Sequence, residues 1–415
     1  MKQKVVVIGA GFAGLQFTKS LDEELFDVLI IDKLNHHQFQ PLFYQVATSQ
    51  IEPSNISFPI RYIFKNRDNI RVRLAEVLSV NAEKKEIETS IGSYTYDILV
   101  IGMGCKTNFF GNKEIEKNAF TLKSTFDSIK IRNHILQTFE NIITEEDEEK
   151  KASLLNLVIV GAGPTGVELA GAFAEIKRNV LPKDYPRIDF SKFNIYIIEG
   201  SKHTLNNMSD NAKSVSEGYL VKMGVNILKE TFVKNYDGEM LTLSSGQIIK
   251  SKTVIWAAGV TANSIKGLDE FITFGNRIKV DRTNKVVENI YAVGDIAYME
   301  TPLYPKGQPQ VANVAINQAK NLAKNLKLIV ENKEPKLYEY KDLGSMATVG
   351  RNKSVVDFGK FKLKGYLAWL IWMFLHLMLI LSVKNKIIIF INWAWGYVSK
   401  NSSLRLILTD PNEEK

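Results

Sequence analysis

Residues 4–32 read KVVVIGAGFAGLQFTKSLDEELFDVLIID, and the order of residue types along them decides the fold. KVVVI at 4–8 reads as a strand in which Val5–Ile8 is short, β-branched and continuously apolar, the pattern of a parallel strand buried on both faces. GAGFAG follows, then a helical pattern to about Leu21, then FDVLIID at 26–32 as the second strand of a βαβ unit. Gly9 permits the tight turn, Gly11 lets the backbone approach a pyrophosphate, and Gly14 lets helix and strand pack closely. The helix N-terminus presents free N–H groups and a partial positive charge to phosphates. Asp32, followed by Lys33, closes the second strand 23 residues after Gly9, where a carboxylate binds an adenosine ribose diol. Together these features predict a dinucleotide-binding unit.

The same grammar recurs about 150 residues later, with LVIVG at 157–161, then AGPTGVELAGAFAEI, then NIYIIEG at 194–200. Gly161, Gly163 and Gly166 repeat the fingerprint, and Glu199 supplies the acidic strand end. A carboxylate there favours NADH, because the 2′-phosphate of NADPH would be repelled and lacks the diol. Lys202 nearby softens that discrimination. From Gly161 to Glu199 the spacing is 38 residues, so a loop with Pro182 and Pro186 must extend between helix and strand. Glu168, in the first turns of the helix opened by GPTG, either caps that helix or accepts a hydrogen bond that places the nicotinamide. Gly259 in WAAGV (256–260) lets the chain pass close to a nucleotide. NIYAVGD at 289–295 ends a further strand at Gly294 and Asp295. The Asp295 carboxylate suits a ribityl hydroxyl, which a flavin dinucleotide has and a nicotinamide dinucleotide lacks. The first unit is therefore expected to hold FAD and the second NADH.

The fold class that follows is α/β, with two Rossmann-like domains, one inserted in the other, plus a C-terminal membrane-anchoring helical segment. Along the chain, 1–115 forms the first part of the FAD domain and 116–154 the connecting helices and acidic linker. Residues 155–265 form the NADH domain, 266–335 the rest of the FAD domain, and 336–415 a strand-rich segment with the apolar tail. Glu145, Glu146, Asp147, Glu148, Glu149, Lys150 and Lys151 mark a solvated boundary before the second unit.

Composition removes several function classes. The chain has 415 residues, 45% hydrophobic and 24% charged, which fits a folded protein of two or three domains. Its one cysteine, Cys105, excludes a disulfide, a CxxC redox pair and a cysteine zinc site within the chain, and with five histidines no metal centre is supported. Disulfide reductases and persulfide relays fall with the cysteine pair. Cys105 reads as a structural thiol in a reducing compartment. The charge balance is +8, with no nucleic-acid reading module to use it. The opening MKQKVVVIGAG has no signal-peptide pattern, so the N-terminus is expected in the cytoplasm.

The tail suggests where electrons go after the flavin. Tyr366 to Val383, YLAWLIWMFLHLMLILSV, contains no Asp, Glu, Lys or Arg, and as one helix would extend about 27 Å. Lys384 and Lys386 interrupt it before IIIFINWAWGYV (387–398). Four of the five tryptophans, at Trp369, Trp372, Trp393 and Trp395, fall in this region, as expected near a membrane interface. The basic cluster Arg351, Lys353, Lys360, Lys362 and Lys364 precedes it. Three readings compete: a buried helix pair, a transmembrane span, and the favoured one, a hairpin lying in one leaflet. His376 within it reads as structural. A reduced flavin at a membrane has quinone as its apolar acceptor.

These motifs, with NHHQFQPLFYQVAT (35–48), TNFFGN (107–112), YPKG (304–307), ANVAINQ (312–318), DLGSMATVGR (342–351) and the Trp369, Trp372, His376 and Leu377 pattern, resemble the type II NADH dehydrogenases over essentially the whole chain. That resemblance implies noncovalent FAD, NADH as substrate, a membrane quinone as acceptor and no proton pumping. It also implies a homodimer on the lipid bilayer surface, monotopic on the cytoplasmic face of the inner membrane. By position, Gly11, Gly14, Asp32, Gln45 and Asp295 correspond to FAD contacts, and Gly163, Gly166, Glu168, Glu199 and Gly259 to NADH contacts. Lys306 corresponds to a lysine near the isoalloxazine ring. Ala312, Asn313, Ala315, Asn317 and Gln318 occupy the family's quinone segment, but with asparagine at two positions where it has glutamine. IGMG (101–104) replaces its usual ATG-like turn.

Two rival functions share the nucleotide units. A soluble NADH-dependent reductase of an iron–sulfur or rubredoxin-like protein leaves residues 366–398 without a purpose. A membrane-associated, flavin-binding interaction protein has negligible turnover with NADH.

Overall fold

The computed structural model describes residues 2–401 and 404–408. Residues 409–415, the end of the predicted C-terminal segment, lie outside them. The chain forms two compact units. The first combines the chain up to Gln38 with Phe58–Lys106 and Val260–Asp342; the second combines Phe39–Ser57, Thr107–Gly259 and the chain from Leu343 onward.

Unit 1 is built on a six-stranded sheet in the order Lys285–Val287, Ile290–Ala292, Ile98–Ile101, Gln3–Ile8, Phe26–Asp32, Ile70–Leu74. All pairings are parallel except the one between Lys285–Val287 and Ile290–Ala292. The continuous apolar run at Val5–Ile8 is buried on both faces because each face is covered. Val5 and Val7 join Phe17 of helix Phe12–Ser20 and Ala319 and Leu322 of helix Ala312–Val330 in one core, while Val6 and Ile8 join Leu99, Ile278 and Ala297 in the other. Fully burying each valine, leucine, isoleucine or phenylalanine among them contributes on the order of 1.5–3 kcal/mol. Removing water from both faces fixes the strand register, and with it the position of the glycine turn after Ile8.

Unit 2 contains a four-stranded parallel sheet in the order Val225–Leu228, Asn194–Ile198, Asn156–Val160, Thr253–Trp256. Helix Pro164–Asn179 leaves it from the second glycine turn. Its Gly171 has no room for a side chain, because a Cβ would run into the Val349 carbonyl of strand Ser345–Gly350. That strand opens an antiparallel three-stranded sheet with Lys353–Phe358 and Phe361–Gly365. Phe39–Ser57, which the sequence places in the first domain, packs here instead: Tyr44, Val46 and Ala47 of helix Phe43–Ala47 are buried against this unit.

The tail corrects the predicted fold class. Among the described residues no helix is long and apolar enough to cross a membrane, which overturns the membrane-anchoring helical segment. The apolar run breaks after Leu379, where Ile380 turns to an extended conformation, and a second helix begins at Val383. Tyr366–Leu379, with 14 residues, extends about 21 Å, and hydrocarbon is about 30 Å thick. The reason for the break is packing on protein. Ala368, Trp372, Ile380 and Ile389 are buried, and the Asn385 amide donates to the carbonyls of Ser54 and Asn55.

Candidate functional site

In unit 1 the first glycine turn has the form its sequence requires. Gly9 adopts φ +95°, and a Cβ on Gly14 would run into the Gly9 carbonyl oxygen. Gly11 caps helix Phe12–Ser20, and a Cβ there would meet nothing within 4 Å, so open ground lies before the helix N-terminus. Asp32 closes the turn from the next strand. Its Oδ2 accepts from the Ala10 N–H at 2.6 Å and its Oδ1 from the Leu34 N–H at 2.7 Å. Burial raises the Asp32 pKa and these two N–H groups oppose the rise. Each oxygen keeps a lone pair for a ribose hydroxyl. Lys33 is exposed and pairs with Glu76 at 2.6 Å.

Gly294 is brought beside this helix, with a would-be Cβ only 3.0 Å from the Ala13 Cβ. Its N–H donates to Oε1 of Gln318, and Nε2 of Gln318 donates to Oε1 of Gln308. Gln318 therefore ties the Gly294–Asp295 turn, through its amide oxygen, to Gln308, through its amide nitrogen. Cys105 Sγ donates to the Asp295 carboxylate at 3.2 Å. Gln308 is buried and its Nε2 has no hydrogen-bond partner among the described residues, an amide donor left for a bound group. Ala312, Asn313, Ala315 and Asn317 lie in the first turns of helix Ala312–Val330. Ala315 is buried near Gly294, and Ala312, Asn313 and Asn317 are half-buried. Lys306 is exposed. Open space at the helix N-terminus, two carboxylates at strand ends and an orphaned amide donor together fit a flavin dinucleotide.

Unit 2 repeats the device. Gly161 has φ +102°, Gly163 caps helix Pro164–Asn179 with open space beside it, and a Cβ on Gly166 would strike the Gly161 carbonyl. Oε2 of Glu199 accepts from the Ala162 N–H at 2.7 Å and Oε1 from the Ser201 N–H at 2.8 Å, the same pattern as Asp32. Gly259, at φ +73°, lies three residues past strand Thr253–Trp256, where a Cβ would meet the Phe110 ring.

Glu168 is the residue that the sequence offers as a helix cap or as an acceptor that places the nicotinamide. It is 9% exposed, and its Oε1 faces the Thr348 N–H at 3.4 Å. Burial pushes its pKa up to about 8; the Thr348 N–H and the Trp372 indole, which approaches without completing a hydrogen bond, pull the other way. Glu168 lines a cavity of about 170 Å³ with Tyr44, Gln45, Trp372, Trp393 and Tyr397 among its walls. Gln45 is fixed from both ends: its Nε2 donates to the Tyr44 hydroxyl and its Oε1 accepts from the Trp393 indole. Behind Trp372 stands His376, stacked on it at 4.0 Å between ring centroids, with Nδ1 donating to the Trp372 carbonyl at 2.8 Å. A carbonyl only accepts, so Nδ1 carries the proton, and burial lowers the ring pKa to about 4. The cavity thus joins flat aromatic walls to several side-chain amides and to Glu168, whose carboxyl burial biases towards the protonated form. Sequence reading missed it, because Trp372 and Trp393 were assigned to a membrane interface.

Residues 3–319 match the family described as pyridine nucleotide-disulphide oxidoreductase, and residues 343–399 match the NDH2 C-terminal domain. The chain is 33% identical to the type II NADH:quinone oxidoreductase Ndh of Mycobacterium tuberculosis, covering 99% of this chain and 91% of that protein. It is 28% identical to the mitochondrial internal alternative NAD(P)H-ubiquinone oxidoreductase A1 of Arabidopsis thaliana, over 96% and 84% of the two chains. Its fold is like that of Plasmodium falciparum NDH2 solved in complex with NADH, with a TM-score of 0.91 at 22% identity over 99% and 100% of the chains.

Proposed function

The chain belongs to the type II NADH:quinone oxidoreductases, and from that membership we propose how its own residues carry out NADH oxidation and quinone reduction. The balance is NADH + H⁺ + quinone → NAD⁺ + quinol, without ion pumping. FAD, held noncovalently, supplies the hydride acceptor and the two-electron donor to quinone.

In unit 1 the N–H groups following Gly11 hold the FAD pyrophosphate, Asp32 takes the adenosine ribose and Asp295 a ribityl hydroxyl. Gln318 keeps the Gly294–Asp295 turn in place from behind. In unit 2 the loop from Gly161 to Gly166 binds the NADH pyrophosphate and Glu199 the ribose diol. These residues position; none forms a bond to substrate.

The observation that carries the acceptor reading is the aromatic cavity of unit 2. A quinone head is flat, apolar on its faces and accepts hydrogen bonds at two carbonyls. Trp372, Trp393 and Tyr44 supply the faces, and the cavity's polar groups address the carbonyls. With a pKa of about 8, Glu168 holds a proton on its carboxyl at neutral pH and can deliver it to a reduced quinone oxygen. Exposed Leu367, Leu370, Phe374 and Phe390 on the two terminal helices support peripheral contact with the cytoplasmic membrane face, from which quinone arrives. A homodimer is part of the same proposal.

The test is turnover of the purified, FAD-loaded protein with NADH, using a water-soluble quinone in one arm and a ferredoxin in the other. Quinone reduction is expected. Turnover with the protein acceptor alone would overturn the acceptor reading.

A further inference from the structure

Helix Thr125–Thr144 of unit 2 carries Arg132, which is 1% exposed. Among the described residues, none of its three guanidinium nitrogens has a hydrogen-bond partner. Arginine remains charged and offers five N–H donors, so this is a buried cation with its donors unfilled. Oε2 of Glu52 makes a long ion pair with Nη1 at 3.9 Å, beyond hydrogen-bond reach, from a side chain that is 36% exposed. Arg405 is nearby, but its guanidinium is occupied by Asp184 and Asn401. Burial depresses the Arg132 pKa and Glu52 only partly offsets this.

Arg132 faces a small cavity of about 20 Å³, also lined by Thr48, Ser49, Phe173, Val180 and Arg405. About 10–15 Å³ of such space holds one water, so this volume admits a single atom-sized guest and excludes phosphate, sulfate or a carboxylate side chain. Most of the wall is apolar. An apolar wall with a guanidinium at one side favours a weakly hydrated monovalent anion over water, because such an anion loses less on leaving bulk solvent and answers the full charge.

We propose that unit 2 contains a buried halide site, with the Arg132 guanidinium as principal donor and chloride as its occupant. The site lies among helix Phe43–Ala47, helix Thr125–Thr144 and helix Pro164–Asn179. It shares Thr48, Ile176 and Val180 with the walls of the larger aromatic cavity. An ion there ties together the elements that carry Gln45 and Glu168 without touching a substrate. Its role is structural support of that cavity, and it does not depend on which acceptor the enzyme uses.

Crystals of the FAD-loaded protein grown in bromide test this directly, because bromide replaces chloride and scatters anomalously. An anomalous peak within about 3.5 Å of the Arg132 nitrogens is expected. Its absence, or a water at that place, overturns the proposal. Thermal melting at constant ionic strength supplies the second measurement. Replacing gluconate by chloride should raise Tm by roughly 2–4 °C in the unmodified protein. Arg132→Met, which removes the charge at similar volume, should abolish that chloride-dependent rise. An equal rise in the variant, or a bromide peak with no chloride dependence, would reveal an adventitious ion only. If Arg132→Met fails to fold, the bromide peak and the chloride–gluconate comparison on the unmodified protein still decide.

Discussion

The indole N–H of Trp393 donates to Oε1 of Gln45 at 2.8 Å, joining residues 348 positions apart in the chain across one wall of the aromatic cavity. Because Nε2 of Gln45 donates to the Tyr44 hydroxyl, the amide orientation is fixed, and the indole is the partner its oxygen requires. Trp393→Phe keeps the ring and removes the donor. The orphaned oxygen should cost on the order of 1–3 kcal/mol if it stays dry. The expected outcome is a several-fold rise in KM for quinone with KM for NADH unchanged, measured by steady-state kinetics with both substrates varied. A parallel rise in both KM values would show that the bond supports unit 2 generally and not the acceptor cavity.

Glu168 predicts a pH dependence of stability with a definite sign. Its folded pKa of about 8 lies above the ordinary 4.5, so between those values the folded state holds a proton that the unfolded state has lost. Its contribution is complete below pH 4.5 and declines as pH rises towards 8. At about 1.4 kcal/mol per pKa unit the decline amounts to a few kcal/mol as an upper figure. Glu168→Gln cannot titrate and should show a flatter Tm profile over that window. In turnover, the same variant should lose quinone reduction while NADH still bleaches the bound flavin in a single-turnover experiment. An unchanged steady-state rate would remove the proton-holding role.

Both dinucleotide units were legible because their chemistry is local. Turn, helix start and acidic strand end fall within about forty residues at each, and Gly9, Gly14, Asp32, Gly161, Gly166 and Glu199 stand where the pattern requires. The aromatic cavity was not, because its walls come from residues 44–50, 168–180, 348–351 and 369–404, and no periodicity links those segments. The tail misled for a related reason. Hydropathy registers that Trp372 avoids water, and a protein interior satisfies that as well as lipid does; at 1% exposure Trp372 is core. Gln318 illustrates a third limit. That its amide links Gly294 to Gln308 is a contact between segments that no motif spells out.

Glu199 should set coenzyme choice. Both of its oxygens are oriented by backbone N–H groups, from Ala162 and Ser201, so the carboxylate is held in position before any ribose arrives. Glu199→Gln replaces one accepting oxygen by an NH₂ that opposes an N–H donor, and removes the charge that repels a 2′-phosphate. The ratio of kcat/KM for NADH to that for NADPH should fall about tenfold or more, corresponding to roughly 1.4 kcal/mol. Bound FAD, assayed by absorbance, should be unaffected, whereas the equivalent Asp32→Asn should lower FAD content and spare coenzyme choice. Exchange of those two phenotypes would reverse the assignment of the two units.

His37 ties acid stability to the first glycine turn. It is buried, and its Nδ1 donates to the carbonyl of Ala10, between Gly9 and Gly11, at 2.9 Å. Burial lowers its pKa from 6.5 to about 4, with the Ala10 carbonyl acting weakly in the opposite sense. Below pH 6.5 the unfolded chain takes up a proton that the folded chain refuses. The stability this group confers is therefore full above pH 6.5 and is lost progressively as pH falls through 4. His37→Asn separates titration from hydrogen bonding, since an asparagine amide nitrogen can occupy nearly the position of Nδ1 and donate to the same carbonyl without ionising. That variant should retain FAD at pH 7 and show a shallower fall of Tm between pH 6.5 and 4. His37→Leu, which cannot donate, leaves the Ala10 carbonyl unpaired and should lower FAD content at every pH. Identical acid profiles for the unmodified protein and His37→Asn would mean that His134 and His376, whose pKa values burial also lowers to about 4, carry the acid sensitivity instead.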